Sequence, residues 1–427
     1  MTSTTSTTSI ARPTLHRTLN VWQVSIAGIG VILGAGIYAL IGPAAAHAGN
    51  ALWLAFVISG VAAGLTAFSY ARLGSMRPRN SPEFQYTALA FGPRVGFVAG
   101  WLMLAADLLA AATVALGFGG YLAHLAGTPV VLGALALLVV VGLVMLAGIG
   151  QSVAVAVALT IVEAAGLLFI AVIGVPAWLE PDLLEAPRGF PGVLSAASLI
   201  FFAYLGFDEL GNFAEEMRDP EQNLGRALVI AMVGSTAIYV LVALSAVALV
   251  PWAELAGSSA PLALVAGRLL GPRADAALSA VALAATANTV LLLLVASSRS
   301  VYGMAAAGVL PSALARVGCR ATPWIATGAV LAVTAGLLFA GSLAEVAAMT
   351  DGAVLASFAL VNASLAWLAC RGRASRGRRR ALDLALPAAA VIMCGALLLH
   401  VGGASLVAVG ALTATGLLAT RWSSPTS

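Results

Sequence analysis

Residues 25–46, SIAGIGVILGAGIYALIGPAAA, form an apolar run long enough to cross a bilayer, and Gly34-Ala35-Gly36 interrupts it near the middle. A second apolar run, residues 194–216 (LSAASLIFFAYLGFDELGNFAEE), is interrupted in the same way at Leu205-Gly206-Phe207-Asp208. A helix that breaks inside a membrane leaves backbone N–H and C=O groups that lipid cannot satisfy. Such breaks are tolerated only where the backbone lines a cavity. Two breaks about 170 residues apart are typical of a secondary transporter built from two inverted repeats.

The composition of the chain is that of an integral membrane protein. Of its 427 residues, 61% are hydrophobic and 9% are charged, and the mean hydropathy is +1.02. Soluble domains carry about a quarter charged residues. We therefore predict an all-α integral membrane protein with about twelve transmembrane helices. The predicted spans are residues 20–43, 51–73, 95–124, 130–149, 153–178, 192–214, 226–250, 274–304, 323–341, 344–369, 382–399 and 401–421.

The arginines predict the orientation of the chain in the membrane. All 21 basic residues are arginine, and 18 of them lie on one side of the predicted topology, against Arg188, Arg268 and Arg273 on the other. By the positive-inside rule, both termini of this multi-pass protein are predicted to be cytoplasmic, and the membrane to be the plasma (inner) membrane. The arginine-rich loop between spans 10 and 11 is either a topogenic loop or a surface for anionic lipid headgroups.

The pattern of spans predicts two repeats, each beginning with a broken span. After a cytoplasmic tail (1–19), the first repeat takes residues 20–178 (spans 1–5) and the second residues 192–369 (spans 6–10). The arginine-rich loop (370–381) and peripheral spans 11 and 12 (382–421) follow. The stretch 260–270 is too short to cross and is predicted to form an external helix. We predict no cofactor and no metal, because the spacing of the three cysteines matches no metal site.

The two breaks offer complementary backbone groups. The half-helix that begins at Gly34-Ala35-Gly36 presents free N–H groups and the positive end of its dipole, which suit a carboxylate. The first half of span 6 ends near Phe202, Ala203 and Tyr204, whose carbonyls suit an ammonium group. A carboxylate at one break and an ammonium at the other describe an amino acid, and Phe207 joins Phe202 and Tyr204 in covering its side chain. The alternative is that these glycines are packing residues in straight helices.

Two acidic residues lie inside predicted spans. Glu163 sits in the middle of span 5 with apolar neighbours for a full turn either way, where an ionisable group costs ~2.5–3.5 kcal/mol and marks a functional site. Because an apolar medium favours the neutral form of a carboxyl, Glu163 is a candidate proton carrier. A sodium ligand, a counter-charge to a cationic substrate and a structural hydrogen bond are the alternatives. Thr286, Asn288 and Thr289 of span 8 are polar groups that could face Glu163, and Asp107 of span 3 is either a second coupling residue or a helix-to-helix hydrogen bond.

Charged residues also gather where span 6 ends. Glu215, Glu216 and Arg218 are predicted either to form an inner gate by pairing with Arg72 or Arg299, or to be solvated loop charges. Both interpretations place these charges on the predicted cytoplasmic face.

Four stretches resemble the amino acid–polyamine–organocation permeases. GIGVILGAGIYALIGPAAAHAG (28–49) is similar to their first span, and FSYARLGSMRPRNSPEFQYTALAFGPRVGFVAGW (68–101) to their span 2–loop–span 3 signature. FFAYLGFDELGNFAEEMRDPEQNLGRAL (201–228) resembles their span 6–loop–span 7 pattern, and SRSVYGMAAAGVLPSALARV (298–317) the loop after span 8. The resemblance covers roughly residues 15–370. It implies the five-plus-five inverted-repeat fold first described for the leucine transporter, and uptake or exchange of amino acids or related amines.

The resemblance also implies roles for individual residues. Ile32 and the backbone of Gly34, Ala35 and Gly36 would meet the polar head of the substrate. Phe202, Ala203 and Tyr204 would offer carbonyls, and Phe207 would be the gating aromatic. Many members of the family carry Ser or Thr at the position of Ala35, so this chain lacks one hydroxyl there. In proton-coupled members a lysine on span 5 occupies the sodium position, and Glu163 stands at that position here.

These observations predict a secondary active transporter of amino acids or related amines that works by alternating access, with proton-coupled symport through Glu163. An exchanger without net ion coupling is the alternative, and sodium is the alternative coupling ion. A channel is less well supported, because no repeated filter motif is present. An enzyme is not predicted, because four scattered histidines supply neither a metal set nor a triad. The expected partners are a small-molecule substrate, the lipid bilayer and the coupling ion, without nucleic acid.

Overall fold

The computed structural model of the chain describes residues 20–76, 82–147, 153–208, 210, 217, 220–306, 308, 310–318, 322–373 and 378–422. Within these ranges, eight helical stretches are long and apolar enough to cross a membrane. Five shorter apolar helices accompany them in the described ranges and include the first pieces of the two broken spans, whereas the second half of span 1 is part of the long stretch Gly36–Gly74. The prediction of an all-helical membrane fold with breaks in spans 1 and 6 is confirmed.

The helices follow the predicted order of spans. Spans 1 to 6 are Val21–Ile32 with Gly36–Ala48, Leu52–Met76, Pro93–Ala126, Val130–Leu146, Val153–Ile173, and Gly189–Ile200 with the 3-10 turn Phe201–Tyr204. Spans 7 to 12 are Pro220–Leu249, Pro272–Ala306, Trp324–Leu337, Leu343–Cys370, Arg378–Leu398 and Gly403–Trp422. Pro82–Phe91 lies between spans 2 and 3, and Trp252–Gly257 and Pro261–Leu270 lie between spans 7 and 8. The predicted helix at 260–270 is therefore present.

Span 1 extends further than the sequence indicates. It begins at an Asn20 capping box, stops at Ile32 and resumes at Gly36. The second half was predicted to end at residue 43, but it continues through Pro43 to Ala48. Proline removes only one backbone bond from a membrane helix, and neighbouring helices can compensate for that loss. Gly49 ends the helix instead, in a left-handed conformation (φ +62°) that favours glycine.

The second half of span 1 lies at the centre of the helix bundle. Its residues Ile37, Tyr38, Leu40 and Ile41 are fully buried. Small residues allow the close approach: a Cβ at Gly117 of span 3 would lie 2.8 Å from Ala39 Cβ. The helix that follows the first break is therefore enclosed by protein rather than lipid.

The predicted external side of this central helix is covered by two connecting segments. The loop between spans 5 and 6 is fixed by Asn50 Nδ2, which donates to Glu185 Oε2 (2.8 Å), and by Trp53 Nε1, which donates to the Leu183 carbonyl (2.9 Å). The segment between spans 7 and 8 approaches so closely that a Cβ at Gly42 would lie 2.7 Å from the Leu255 carbonyl oxygen. In this conformation the protein is closed above the break of span 1.

Candidate substrate site at the two helix breaks

The break in span 1 exposes backbone donors. Leu33 leaves the helical conformation (φ −70°, ψ 46°), and Gly34 N–H donates to the Ile32 carbonyl at 2.7 Å. The second half begins at Gly36, and its cap residue Ala35 provides no side-chain hydrogen bond to the first turn. The first N–H groups of a helix have no partner within the helix, so this terminus can bind an anion. Gly34 is half-buried, whereas Ile32, Ala35 and Gly36 are buried.

The break in span 6 exposes backbone acceptors. The helix ends at Ile200, tightens into the 3-10 turn Phe201–Tyr204 and becomes extended at Leu205 (ψ 146°). Gly206 follows with φ +106°, a backbone conformation that L side chains rarely adopt. The Phe202 carbonyl accepts from Leu205 N–H at 3.1 Å. Leu205 and Gly206 are half-buried, so the span 6 break, like Gly34, is incompletely enclosed.

The two breaks are in direct contact. A Cβ placed on Gly36 would lie 2.8 Å from Ala203 Cα and 3.1 Å from Phe202 Cδ1. A Cβ on Gly206 would lie 2.9 Å from Val31 Cγ1, on the other side of the span 1 break. Glycine at both positions allows the two interrupted backbones to touch, and so places the donors of one beside the acceptors of the other.

A residue that the sequence analysis did not identify joins the breaks. The hydroxyl of Tyr239, in span 7, lies 2.5 Å from the Ile32 carbonyl oxygen and 2.8 Å from the Ala203 carbonyl oxygen. A phenol has one proton, so it can donate to only one of these carbonyls at a time. The other carbonyl is then left to another donor, such as a substrate ammonium group. The signal in the sequence was a tyrosine near the middle of a mostly apolar span.

The predicted aromatic residues of span 6 point in different directions. Tyr204 donates through its hydroxyl to the Phe56 carbonyl (2.8 Å) and packs edge-on against Tyr239, 5.3 Å between ring centres. Phe207 is fully buried in an aromatic cluster, with Tyr70 at 5.8 Å and Phe358 at 5.3 Å. The structure therefore brings Tyr204 to the Tyr239 side of the break and Phe207 to the span 2 and span 10 side. Whether Phe207 gates the site stays a prediction.

This aromatic cluster is tied to the segment after span 2. The Tyr70 hydroxyl donates to Glu83 Oε1 at 2.7 Å, and Tyr86 packs edge-on against Tyr70. Burial, and then the neighbouring Glu83 carboxylate, raise the pKa of Tyr86 to about 12. Tyr86 therefore stays a neutral phenol at physiological pH. The Phe207 side of the break thus has a rigid aromatic and carboxylate support.

Span 5 places Glu163 opposite the break of span 1. A Cβ on Gly30, before the break, would lie 2.6 Å from Thr160 Cγ2. A Cβ on Gly166 would lie 3.0 Å from the hydroxyl of Tyr38, after the break. Glu163 is midway between Thr160 and Gly166 and on the same helical face, because residues three apart are neighbours on a helix. Its carboxyl group therefore lies at the depth of the break.

The carboxyl of Glu163 is buried and incompletely satisfied. Its side chain is 3% exposed, and within the described part of the chain Oε1 has no hydrogen-bond partner. The Tyr38 hydroxyl donates to the backbone carbonyl of Glu163 (2.9 Å), not to its carboxyl. The phenols of Tyr38 and Tyr239 lie within electrostatic range of this acid. Among the residues that the structure describes, Glu163 thus has no basic partner, and it lies beside the bridged breaks.

The structure describes individual contacts of the polar residues that were predicted to surround Glu163, and their position beside Glu163 stays a prediction. Thr289 approaches the break: its Oγ1 would lie 4.0 Å from a Cβ on Gly34. Thr286 donates to the Ala282 carbonyl of its own helix at 2.7 Å, and Asn288 is buried. Asp107 is half-buried in span 3 and has an interaction partner.

Arg72 has a partner that was not predicted from the sequence. Arg72 forms a two-pronged ion pair with Asp383 of span 11, with nitrogen–oxygen distances of 2.9 and 2.8 Å. Glu215, Glu216 and Arg218 lie outside the described residues. The sequence analysis did not consider Asp383, because a carboxylate near the start of span 11 is 311 residues away in the chain.

Comparison with known proteins identifies the family. The family model described as "Amino acid permease" matches residues 19–422. The chain belongs to this family. It is 29% identical to the methylthioribose transporter of Bacillus subtilis over 377 residues, which cover 82% of this chain and 80% of the relative.

Other relatives are named for amino acids. The chain is 28% identical to the branched-chain amino acid permease of Bacillus subtilis over 431 residues, covering 92% of this chain and 90% of the relative. It is 29% identical to the vacuolar cationic amino acid transporter 4 of Arabidopsis thaliana, covering 81% of this chain and 62% of the relative. The predicted resemblance to the amino acid permeases is confirmed.

Proposed function

We propose that this permease carries amino acids or related amines across the membrane by alternating access, with a proton bound at Glu163 as the coupling ion. The observation that carries the proposal is the contact between the two breaks, bridged by Tyr239. Span 1 contributes N–H donors and span 6 contributes carbonyl acceptors within one small region. An α-amino acid has one group for each.

An amino-acid substrate carries one negative and one positive charge, and each charge needs a partner in the site. Its carboxylate takes the place of water at the start of the second half of span 1, where the helix dipole is positive. Its ammonium group donates to the carbonyl of Ile32 or of Ala203, and the single proton of Tyr239 goes to the other one. Backbone groups of the two breaks then compensate both charges of the substrate.

Glu163 supports coupling because it lies at the same depth and has no cationic partner in the described part of the chain. A carboxylate in that position is costly, so the acid carries a proton when the site is closed. Opening of the site to water allows the proton to leave. Transport of the proton and substrate together follows if both bind only to the same closed state.

The alternating-access step requires that closure move from one side of the breaks to the other. The covering of the predicted external side supports that step, since the loop at Glu185 and the segment near Leu255 are connecting segments that pack over it. We propose that these segments separate from span 1 when the site opens outward. We also propose that the two repeats comprise residues 20–178 and 192–369, and that both termini are cytoplasmic.

The test is uptake into proteoliposomes that contain the full chain. A mixture of labelled amino acids, with methylthioribose as a separate probe, is offered under an imposed pH gradient and then under a sodium gradient. We expect accumulation to follow the pH gradient, and Glu163→Gln to retain exchange with preloaded substrate but lose accumulation. Glu345→Gln is the matched control, because Glu345 is an exposed acid at the start of span 10 and a glutamine retains its capping role.

Each result has a defined meaning. Accumulation that requires a sodium gradient would mean that sodium, and not a proton, is the coupling ion bound at Glu163. Uptake only into preloaded vesicles would identify an exchanger and contradict symport. Uptake of methylthioribose without any amino acid would contradict the proposed substrate class.

A further inference from the structure

Span 10 contains a second buried acid that the proposed transport cycle does not use. Asp351 is 0% exposed, and neither carboxyl oxygen has a hydrogen-bond partner among the described residues. The sequence analysis did not select it. Asp351 lies on the last span of the second predicted repeat, as Glu163 lies on the last span of the first.

Contacts with span 3 give the depth of Asp351. Gly117 packs against Ala39, five residues past the centre of the span 1 break. Thr113 is one turn back along span 3, about 6 Å toward the break. Its hydroxyl lies 3.5 Å from that of Thr350. Asp351 therefore lies within about two helical turns of the breaks, on the predicted external side.

The helical position of Asp351 gives its direction. Phe358 is seven residues later, two turns of helix, so the two side chains leave span 10 on the same side. Phe358 packs against Phe201 (6.1 Å) and Phe207 (5.3 Å), the two flanks of the span 6 break. Gly352, about 100° away around the helix, instead contacts span 12. Asp351 thus faces span 6 rather than the periphery.

We propose that Asp351 is a cation subsite that selects substrates carrying a second positive charge, an ammonium or guanidinium group on the side chain. Two unpaired carboxylate oxygens match the two parallel N–H donors of a guanidinium group. A buried carboxylate without such a donor is strongly unfavourable, whereas one that is paired and hydrogen-bonded is tolerated. This inference rests on the proposed function, in which the two breaks hold the α-carboxylate and α-ammonium groups.

The decisive comparison is between arginine and citrulline, which have nearly the same shape but differ in side-chain charge. Binding of labelled arginine to the purified full chain is measured with each unlabelled compound as competitor. We expect arginine to compete at least tenfold better than citrulline, because hydrogen bonds to a charged group are worth about tenfold or more in affinity. In Asp351→Asn that preference should fall to within about threefold.

Two further variants separate charge from folding. Asp351→Glu keeps the charge and should retain a preference for arginine, whereas Glu345→Gln removes an acid from the same helix and should change nothing. Citrulline binding reports whether Asp351→Asn is folded, and labelled citrulline is used wherever arginine binds too weakly.

Four outcomes overturn the inference. In the first, wild type prefers citrulline or binds both equally, which leaves the proposed function intact. In the second, Asp351→Asn retains the full preference for arginine. In the third, wild type binds no amino acid at all, which rejects the proposed function as well. An Asp351→Asn protein that binds neither compound while Asp351→Glu also loses its preference would likewise reject a charge-based role.

Discussion

Gly36→Ala tests whether the contact between the two breaks matters for transport. The added Cβ would lie 2.8 Å from Ala203 Cα, 3.1 Å from Phe202 Cδ1 and 3.3 Å from Ala203 Cβ. Carbon atoms in contact prefer separations of about 3.5–4.0 Å, so the two backbones must separate by about 0.7 Å. The nearest atom belongs to the backbone of span 6 and cannot turn away as a flexible side chain would.

The magnitude follows from two opposing effects. Overpacking in a well-packed interior costs about 1–3 kcal/mol. Replacing glycine by alanine at the start of a helix returns up to about 1 kcal/mol, since the unfolded chain has less freedom to lose. We expect a net loss of about 1–2 kcal/mol in the free energy of unfolding, which is a factor of roughly 5–30 in the ratio of folded to unfolded protein.

The assay has two readouts and a matched control. Melting of the purified protein in detergent reports stability, and counterflow of a labelled amino-acid mixture in proteoliposomes reports the site. Gly64→Ala of span 2 is the control, because a Cβ there would have no heavy atom within 4 Å. We expect Gly36→Ala to melt lower and to lose about tenfold in counterflow, and Gly64→Ala to behave as wild type or melt slightly higher.

Equal melting temperatures and equal counterflow for Gly36→Ala and Gly64→Ala would refute this reasoning. That result would mean that the breaks separate without cost, and that their contact is not part of the binding site. Lower stability with normal counterflow would leave the packing argument standing and reject the functional one.

Two other substitutions test single contacts. Tyr239→Phe keeps the ring but removes the hydroxyl proton that the carbonyls of the two breaks share. We expect a loss of about 1–3 kcal/mol in the free energy of unfolding, together with weaker substrate binding. The control is Tyr121→Phe, which should lower stability alone, because the Tyr121 hydroxyl donates to a carbonyl outside the breaks. Equal binding by both variants would argue against Tyr239 at the site. Asp383→Asn removes the negative charge from the ion pair with Arg72, whose side chain is 29% exposed. We expect a loss of about 2 kcal/mol in the free energy of unfolding, less than for a fully buried pair. An unchanged melting temperature would show that spans 2 and 11 are held by packing.

The site was only partly visible in the sequence. The glycines at 34 and 36 and the Phe202–Tyr204 turn stood out because small or polar residues interrupt apolar runs, which lipid does not permit without a reason. Glu163 stood out because an acid inside a span is rare. These are local signals, readable within one or two turns of helix. Asp351 carried the same signal and was not selected, although it lies within the predicted tenth span.

The sequence by itself determined the helical membrane fold, the positions of the two breaks and the family, since hydrophobic length, interrupting residues and motif order are properties of neighbouring positions. Only the tertiary structure decided that Gly36 touches Ala203 and that Tyr239 joins both breaks. It also decided that Arg72 pairs with Asp383 and that the buried acid Asp351 faces span 6. These facts depend on how helices far apart in the chain pack and rotate. Helix rotation inside a bundle depends on small-residue contacts between helices, and an apolar span buried on most sides carries little periodicity from which its rotation can be read.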